Sequence, residues 1–139
     1  MKKILSIFLM LAMGVSLSAC VKEEEKTIVY ADIVSAGNSE YSIVMSAEAT
    51  DAVKSLAAEV SNRIEELTDI KLERKTDNIE KYPETQYEIL VGLSEREATA
   101  ACLDSLDVIG YKIEFTDGKL IIIASNDYML EKAVDTLFE

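Results

Sequence analysis

Among the side chains of this 139-residue chain, the candidates for chemistry are 26 carboxylates, two cysteines and six tyrosines. There is no histidine and no tryptophan. That removes the commonest general base and the commonest neutral metal ligand together. Paired carboxylates are the first candidates for acid–base work, because a glycosidase sets two of them about 5–9.5 Å apart across one cleft and raises the pKa of one. Glu65 and Glu66 are adjacent on an expected helix and point in different directions. Asp104 and Asp107 are three apart and share a face, but the regular loop ligands of a calcium site are missing. Both pairs read as solvated surface. Cys102 falls on an apolar helical face and reads as a buried free thiol, since a catalytic cysteine wants a histidine base. The tyrosines offer weak carbohydrate contacts: Tyr82 and Tyr128 are the candidates to stack on sugar rings, whereas Tyr87 and Tyr111 fall on strands and are expected in the core. The sequence holds no P-loop, nucleophile elbow or metal-ligand cluster. No catalytic residue, metal or cofactor is therefore expected.

Charge narrows the partners. The net charge is −12; without Lys2 and Lys3 it is −14. Such a surface repels nucleic acid and anionic headgroups alike, so no nucleic-acid partner is expected. Met1-Lys2-Lys3 followed by the apolar run Ile4 to Ala19 is a positive end and a stretch too short to span a bilayer, ending in small residues. That is the pattern of a secretory signal. Leu17-Ser18-Ala19-Cys20 resembles the lipobox of bacterial lipoproteins. The resemblance implies cleavage by signal peptidase II before Cys20, which then carries a diacylglyceryl thioether and usually an acylated amine such as a palmitoyl amide. Two or more acyl chains anchor a protein stably where one does not. The chain is thus expected on the extracytoplasmic face of the cell envelope, with the membrane as partner through its N-terminal lipid. Cys102 is then left without an intramolecular disulfide partner.

These residues need elements to position them. Residues 1–19 read as the signal peptide, 20–40 as a lipidated tether with the charge run Lys22 to Lys26, and 41–139 as one folded domain. The more apolar Thr27–Val34 adds a short strand to this reading. Ser42–Ser46 is a first strand. Thr50 or Asp51 caps a helix to about Leu67, whose apolar residues Val53, Leu56, Ala57, Val60, Ile64 and Leu67 recur at helical steps. Ile70–Lys75 reads as an edge strand and Tyr87–Val91 as the next one. Ser94 and Glu97 fit a capping box for a helix to about Leu106. Asp117-Gly118, between Tyr111–Thr116 and Lys119–Ala124, is a strong signal for a tight hairpin. The second of those strands is almost wholly apolar and suits burial on both faces, which makes this hairpin the expected centre of the sheet. Asn126-Asp127 opens a last helix with Met129, Leu130, Ala133, Val134, Leu137 and Phe138 inward. The fold class is α+β: a small mixed sheet covered by helices, in the order β-α-β-β-α-β-β-α.

Three blocks in this order, Tyr87–Arg96 (YEILVGLSER), Gly110–Ser125 (GYKIEFTDGKLIIIAS) and the closing helix NDYMLEKAVDTLFE, resemble the small α/β domain that precedes the catalytic barrel in β-N-acetylhexosaminidases, α-glucuronidases and related glycoside hydrolases. The resemblance covers about Ser42 to Glu139. Its motifs are structural, and they speak to fold more than to activity. In that family the catalytic carboxylates belong to the barrel, so none is carried over, and Ser125-Asn126 stands where the family has a glycine-rich turn. The implied function is a non-catalytic, lipid-anchored accessory module for a glycan or an envelope protein. The alternatives are a small carboxylate-based hydrolase and a truncated remnant of a larger glycoside hydrolase.

Overall fold

Three apolar runs, Ile43–Val44, Ile89–Val91 and Ile121–Ile123, are fully buried in the computed structural model, which describes residues 32–139. They belong to strands β1 (Ser42–Met45), β3 (Glu88–Val91) and β5 (Lys119–Ala124). The other two strands are β2 (Arg74–Thr76) and β4 (Tyr111–Thr116). Together they form one five-stranded mixed sheet in the order β2-β1-β3-β5-β4, parallel except for β4. The middle strand is β3, so the hairpin β4–β5 lies at one side of the sheet and β4 is an edge. Its turn is as the sequence requires, with positive φ at both Asp117 (49°) and Gly118 (85°).

Helices α1 (Asp51–Thr68), α2 (Glu97–Leu103) and α3 (Asp127–Leu137) divide between the two faces. Alternation along each strand decides what each face presents. Ile43, Ile89, Val91 and Ile122 pack with Leu56, Ala57, Val60 and Ile64 of α1 and with Leu130, Ala133 and Val134 of α3. Val44, Leu90, Ile121 and Ile123 face the other way, with Cys102, Ala98 and Leu106 from α2 and its exit. One long and one medium helix cover the first face, and a two-turn helix covers part of the second. The arrangement is a small mixed α/β domain.

The helix starts explain themselves locally. Thr50 Oγ1 accepts from the Val53 amide at 3.2 Å and Asn126 Oδ1 from the Met129 amide at 2.9 Å, each satisfying a donor that the first turn leaves open. Thr50 also donates to Asp127 at 3.0 Å, which ties the starts of α1 and α3 together. Thr50→Ala is expected to cost about 1 kcal/mol and about 4 °C in melting temperature; a thermal melt followed by circular dichroism checks it. The capping box at Ser94 does not form. The N-cap position is Arg96, without a side-chain cap. Ser94 instead meets the Thr99 hydroxyl at 2.8 Å and accepts from the Arg96 amide at 3.3 Å. α2 ends at Leu103 rather than near Leu106, the Ser105 and Leu106 amides closing tighter turns on the Cys102 and Leu103 carbonyls instead of continuing the helix. β2 is likewise shorter than Ile70–Lys75, because Leu72 turns into the core and Ser61 on α1 bonds its carbonyl.

Ahead of β1, residues 32–41 close a turn against the sheet. Ser35 and Asn38 exchange backbone bonds of 2.9 and 3.0 Å around Ala36 and Gly37, both at positive φ. Ile33 and Val34 pack on the core beneath α1 and α3. Of the short strand entertained at Thr27–Val34, the described part is not extended in the sheet, and the remainder lies outside the described residues.

Candidate functional site

The amino-terminal ends of β1, β3 and β5 place three aromatic side chains together. Tyr41 precedes β1, Tyr87 precedes β3, and Phe115 lies opposite Leu120 at the start of β5. The two phenol rings are 5.4 Å apart between centroids and tilted by 53°. With Ile33 they line a groove of about 570 Å³ that the 32–40 turn walls with Asp32, Ser35, Asn38, Ser39 and Glu40. Ser39 is fixed by its own bonds: its hydroxyl donates to the Ile33 carbonyl and accepts from the Tyr41 amide. Burial, and next the neighbouring Tyr87, push the Tyr41 phenol above its ordinary value, so it stays a neutral donor and acceptor at physiological pH. Apolar ring faces beside a fixed Ser39 hydroxyl, with the Asn38 amide and the Asp32 and Glu40 carboxylates at the rim, suit a small polyhydroxylated ligand, which has both CH faces and hydroxyl edges.

A second hollow, of about 300 Å³, opens at the opposite, carboxyl ends of β1, β3 and β5, among Ser46, Thr50, Gly92, Ser125, Asn126 and Asp127. Strand order reverses between β1 and β3 there, the usual place for a ligand in an open parallel sheet. Its polar groups are already engaged: Thr50 and Asn126 cap their helices, and Asp127 accepts from Thr50. Carboxylates in the first turns of α1 and α3 further offset the positive helix ends that would attract an anion.

The sequence-level candidates are dispersed. Tyr82 is half-buried in the β2–β3 loop, with Lys81 over its ring at 5.2 Å. Tyr128 is exposed on α3, with Lys132 at 5.5 Å. That loop crosses the α2 face, whereas α3 covers the opposite one, so the two rings share no platform. Tyr87 is half-buried and Tyr111 exposed at 38%, so neither packs as fully as a strand position led one to expect. Glu65 pairs with Lys71 at 3.6 Å while Glu66 is exposed, and Asp104 and Asp107 are both exposed. Among the described residues no cluster of Cys, Asp or Glu side chains is placed to hold a metal ion. Cys102 is a buried free thiol whose pKa burial pushes up, with Glu114 also raising it and Lys112 opposing. Leu17, Ser18, Ala19 and Cys20 lie outside the described residues. No helix among the described residues is long and apolar enough to cross a membrane.

The residues that sequence reasoning passed over are the buried charges. Glu88 and Arg96, with side chains 2% and 3% exposed, pair at 3.2 Å. Lys119 reaches the other Glu88 oxygen at 2.9 Å and Glu84 at 3.1 Å. Arg96 also donates to the Tyr82 carbonyl at 3.1 Å and the Asp77 carbonyl at 3.5 Å. Asp77 in turn accepts from the Ala47 and Glu95 amides at 2.8 Å each. Both oxygens of Glu88 and both of Asp77 are held by structural donors, so the cluster pins the β2–β3 loop over the sheet and its buried carboxylates are engaged. A signal was available: period-two alternation puts Glu88 on the same buried face as Leu90, so it needed a cation. No family model matches the chain, and no curated protein matches it either.

Proposed function

We propose that this chain is a lipid-anchored, extracytoplasmic, non-catalytic module that binds carbohydrate in the Tyr41–Tyr87–Phe115 groove. The observation that carries the reading is the groove itself: two phenol rings 5.4 Å apart, edged by side chains that can hydrogen-bond. The signal sequence and lipobox support the anchoring at Cys20. The order β-α-β-β-α-β-β-α supports kinship with the accessory domain of hexosaminidase-type glycoside hydrolases. The dispersal of the carboxylate pairs speaks for binding over the alternative of a small hydrolase.

The test is a glycan array followed by titration calorimetry on the purified chain. Tyr41→Ala is expected to weaken sugar binding about tenfold or more, with Tyr41→Phe retaining most of it, because the ring face supplies the contact. Tyr128→Ala is expected to leave binding unchanged. Glycosidase turnover abolished by a single carboxylate substitution would sink the reading in favour of the hydrolase. An array that returns no glycan would leave an envelope protein as the ligand class.

A further inference from the structure

The two edges of the sheet are built differently. β2 is three residues long and flanked by charge, which blunts it. β4 is six residues long, without bulge or proline, and among the described residues no strand lies along its outer side. The ladder with β5 settles which groups point outward. The Ser125 amide donates to the Gly110 carbonyl at 2.9 Å, so Gly110, Lys112, Glu114 and Thr116 use their backbone groups inward. The amides and carbonyls of Tyr111, Ile113 and Phe115 therefore face out, unpaired within the described sheet.

We infer that this edge pairs with the same edge of a second copy of the chain, antiparallel and centred on Ile113. Outward groups must meet outward groups, which leaves three well-overlapped registers. Centring on Lys112 sets two lysines opposite each other, and centring on Glu114 sets two glutamates opposite each other; both are destabilising. Centring on Ile113 sets Lys112 opposite Glu114 of the second copy, twice by symmetry, and Tyr111 opposite Phe115 on the other face. The two-fold operation makes the interface self-complementary. Its charge is balanced, in a chain whose net charge is −12. The same register brings Ile109, 72% exposed, beside the Asp117–Gly118 turn of the second copy. The product is one sheet continuous across two chains.

Sedimentation velocity on the full chain in detergent micelles, over a range of concentrations, tests this. The wild type is expected to dimerise. Lys112→Glu and Glu114→Lys, each alone, turn both opposite-charge pairs into like-charge pairs and are expected to weaken the dimer by on the order of tenfold to a hundredfold. The double exchange restores the pairs and is expected to restore the dimer. Circular dichroism on each variant confirms that the monomer stays folded. A wild type that is monomeric throughout overturns the inference, including the case in which residues 1–31 cover the edge. So does a dimer indifferent to both single reversals.

Discussion

Replacing Arg96 with alanine is expected to lower the free energy of unfolding by about 3–5 kcal/mol, the cost of breaking a buried ion pair by removing one partner. The guanidinium is 3% exposed and serves Glu88 and two loop carbonyls at once. Alanine strips the Asp77 and Tyr82 carbonyls of this donor and leaves Glu88 with the Thr85 amide and Lys119, its remaining cation. Arg96→Lys is expected to recover little, since a single ammonium cannot span a carboxylate and two carbonyls in the way a planar fork does. The buried Nε has no partner, so even the native geometry leaves one donor unmet. The pair Glu88→Leu with Arg96→Met removes both buried charges and is expected to recover only part of the loss, because the two loop carbonyls still lack their donor and Lys119 loses its Glu88 partner. Urea unfolding of the four chains decides the matter: a loss below about 1 kcal/mol for Arg96→Ala would show that the pair is dispensable.

The second large effect lies at the middle strand. Ile89 is fully buried on β3, under both α1 and α3. Ile89→Ala is expected to cost about 2–5 kcal/mol, and Ile89→Val about 0.5–1.5, because neighbours fixed by two helices and two flanking strands collapse poorly into a cavity. Leu67, 76% exposed at the end of α1, is the control, with Leu67→Ala expected within about 0.5 kcal/mol of wild type. The same urea series measures all three, and equal losses at Ile89 and Leu67 would contradict the assignment of the core.

The parts of the fold legible from sequence were those governed by short-range physics. Asp117-Gly118 needed two positive φ angles and has them. The run Leu120–Ile123 needed cover on both faces, and Ile121, Ile122 and Ile123 are fully buried. Thr50 and Asn126 cap the helices they precede. What escaped was decided by partners distant in sequence. Nothing near Ser94 reveals that Thr99 and the Arg96 amide will claim its hydroxyl. Nothing near Tyr41 reveals that Tyr87 and Phe115 will stand beside it, since strand order brings them together. Tyr82 and Tyr128 are tyrosines outside strands, and exposure alone does not gather side chains into a site. The hairpin is the richest local signal, yet the centre of the sheet is β3, whose four residues carry little periodicity of their own.

The asymmetry of the two faces has a dynamic consequence. Opposite α1 and α3, the loop between Asp77 and Tyr87 is tied to the sheet through Arg96 and Lys119 rather than by an apolar stripe. A loop held by few polar ties is expected to open locally, at less than the global cost of unfolding, while the rest of the sheet stays folded. Its amide protons should trade with solvent far sooner than those of β3 and β5, and a protease should find its first cut near Pro83.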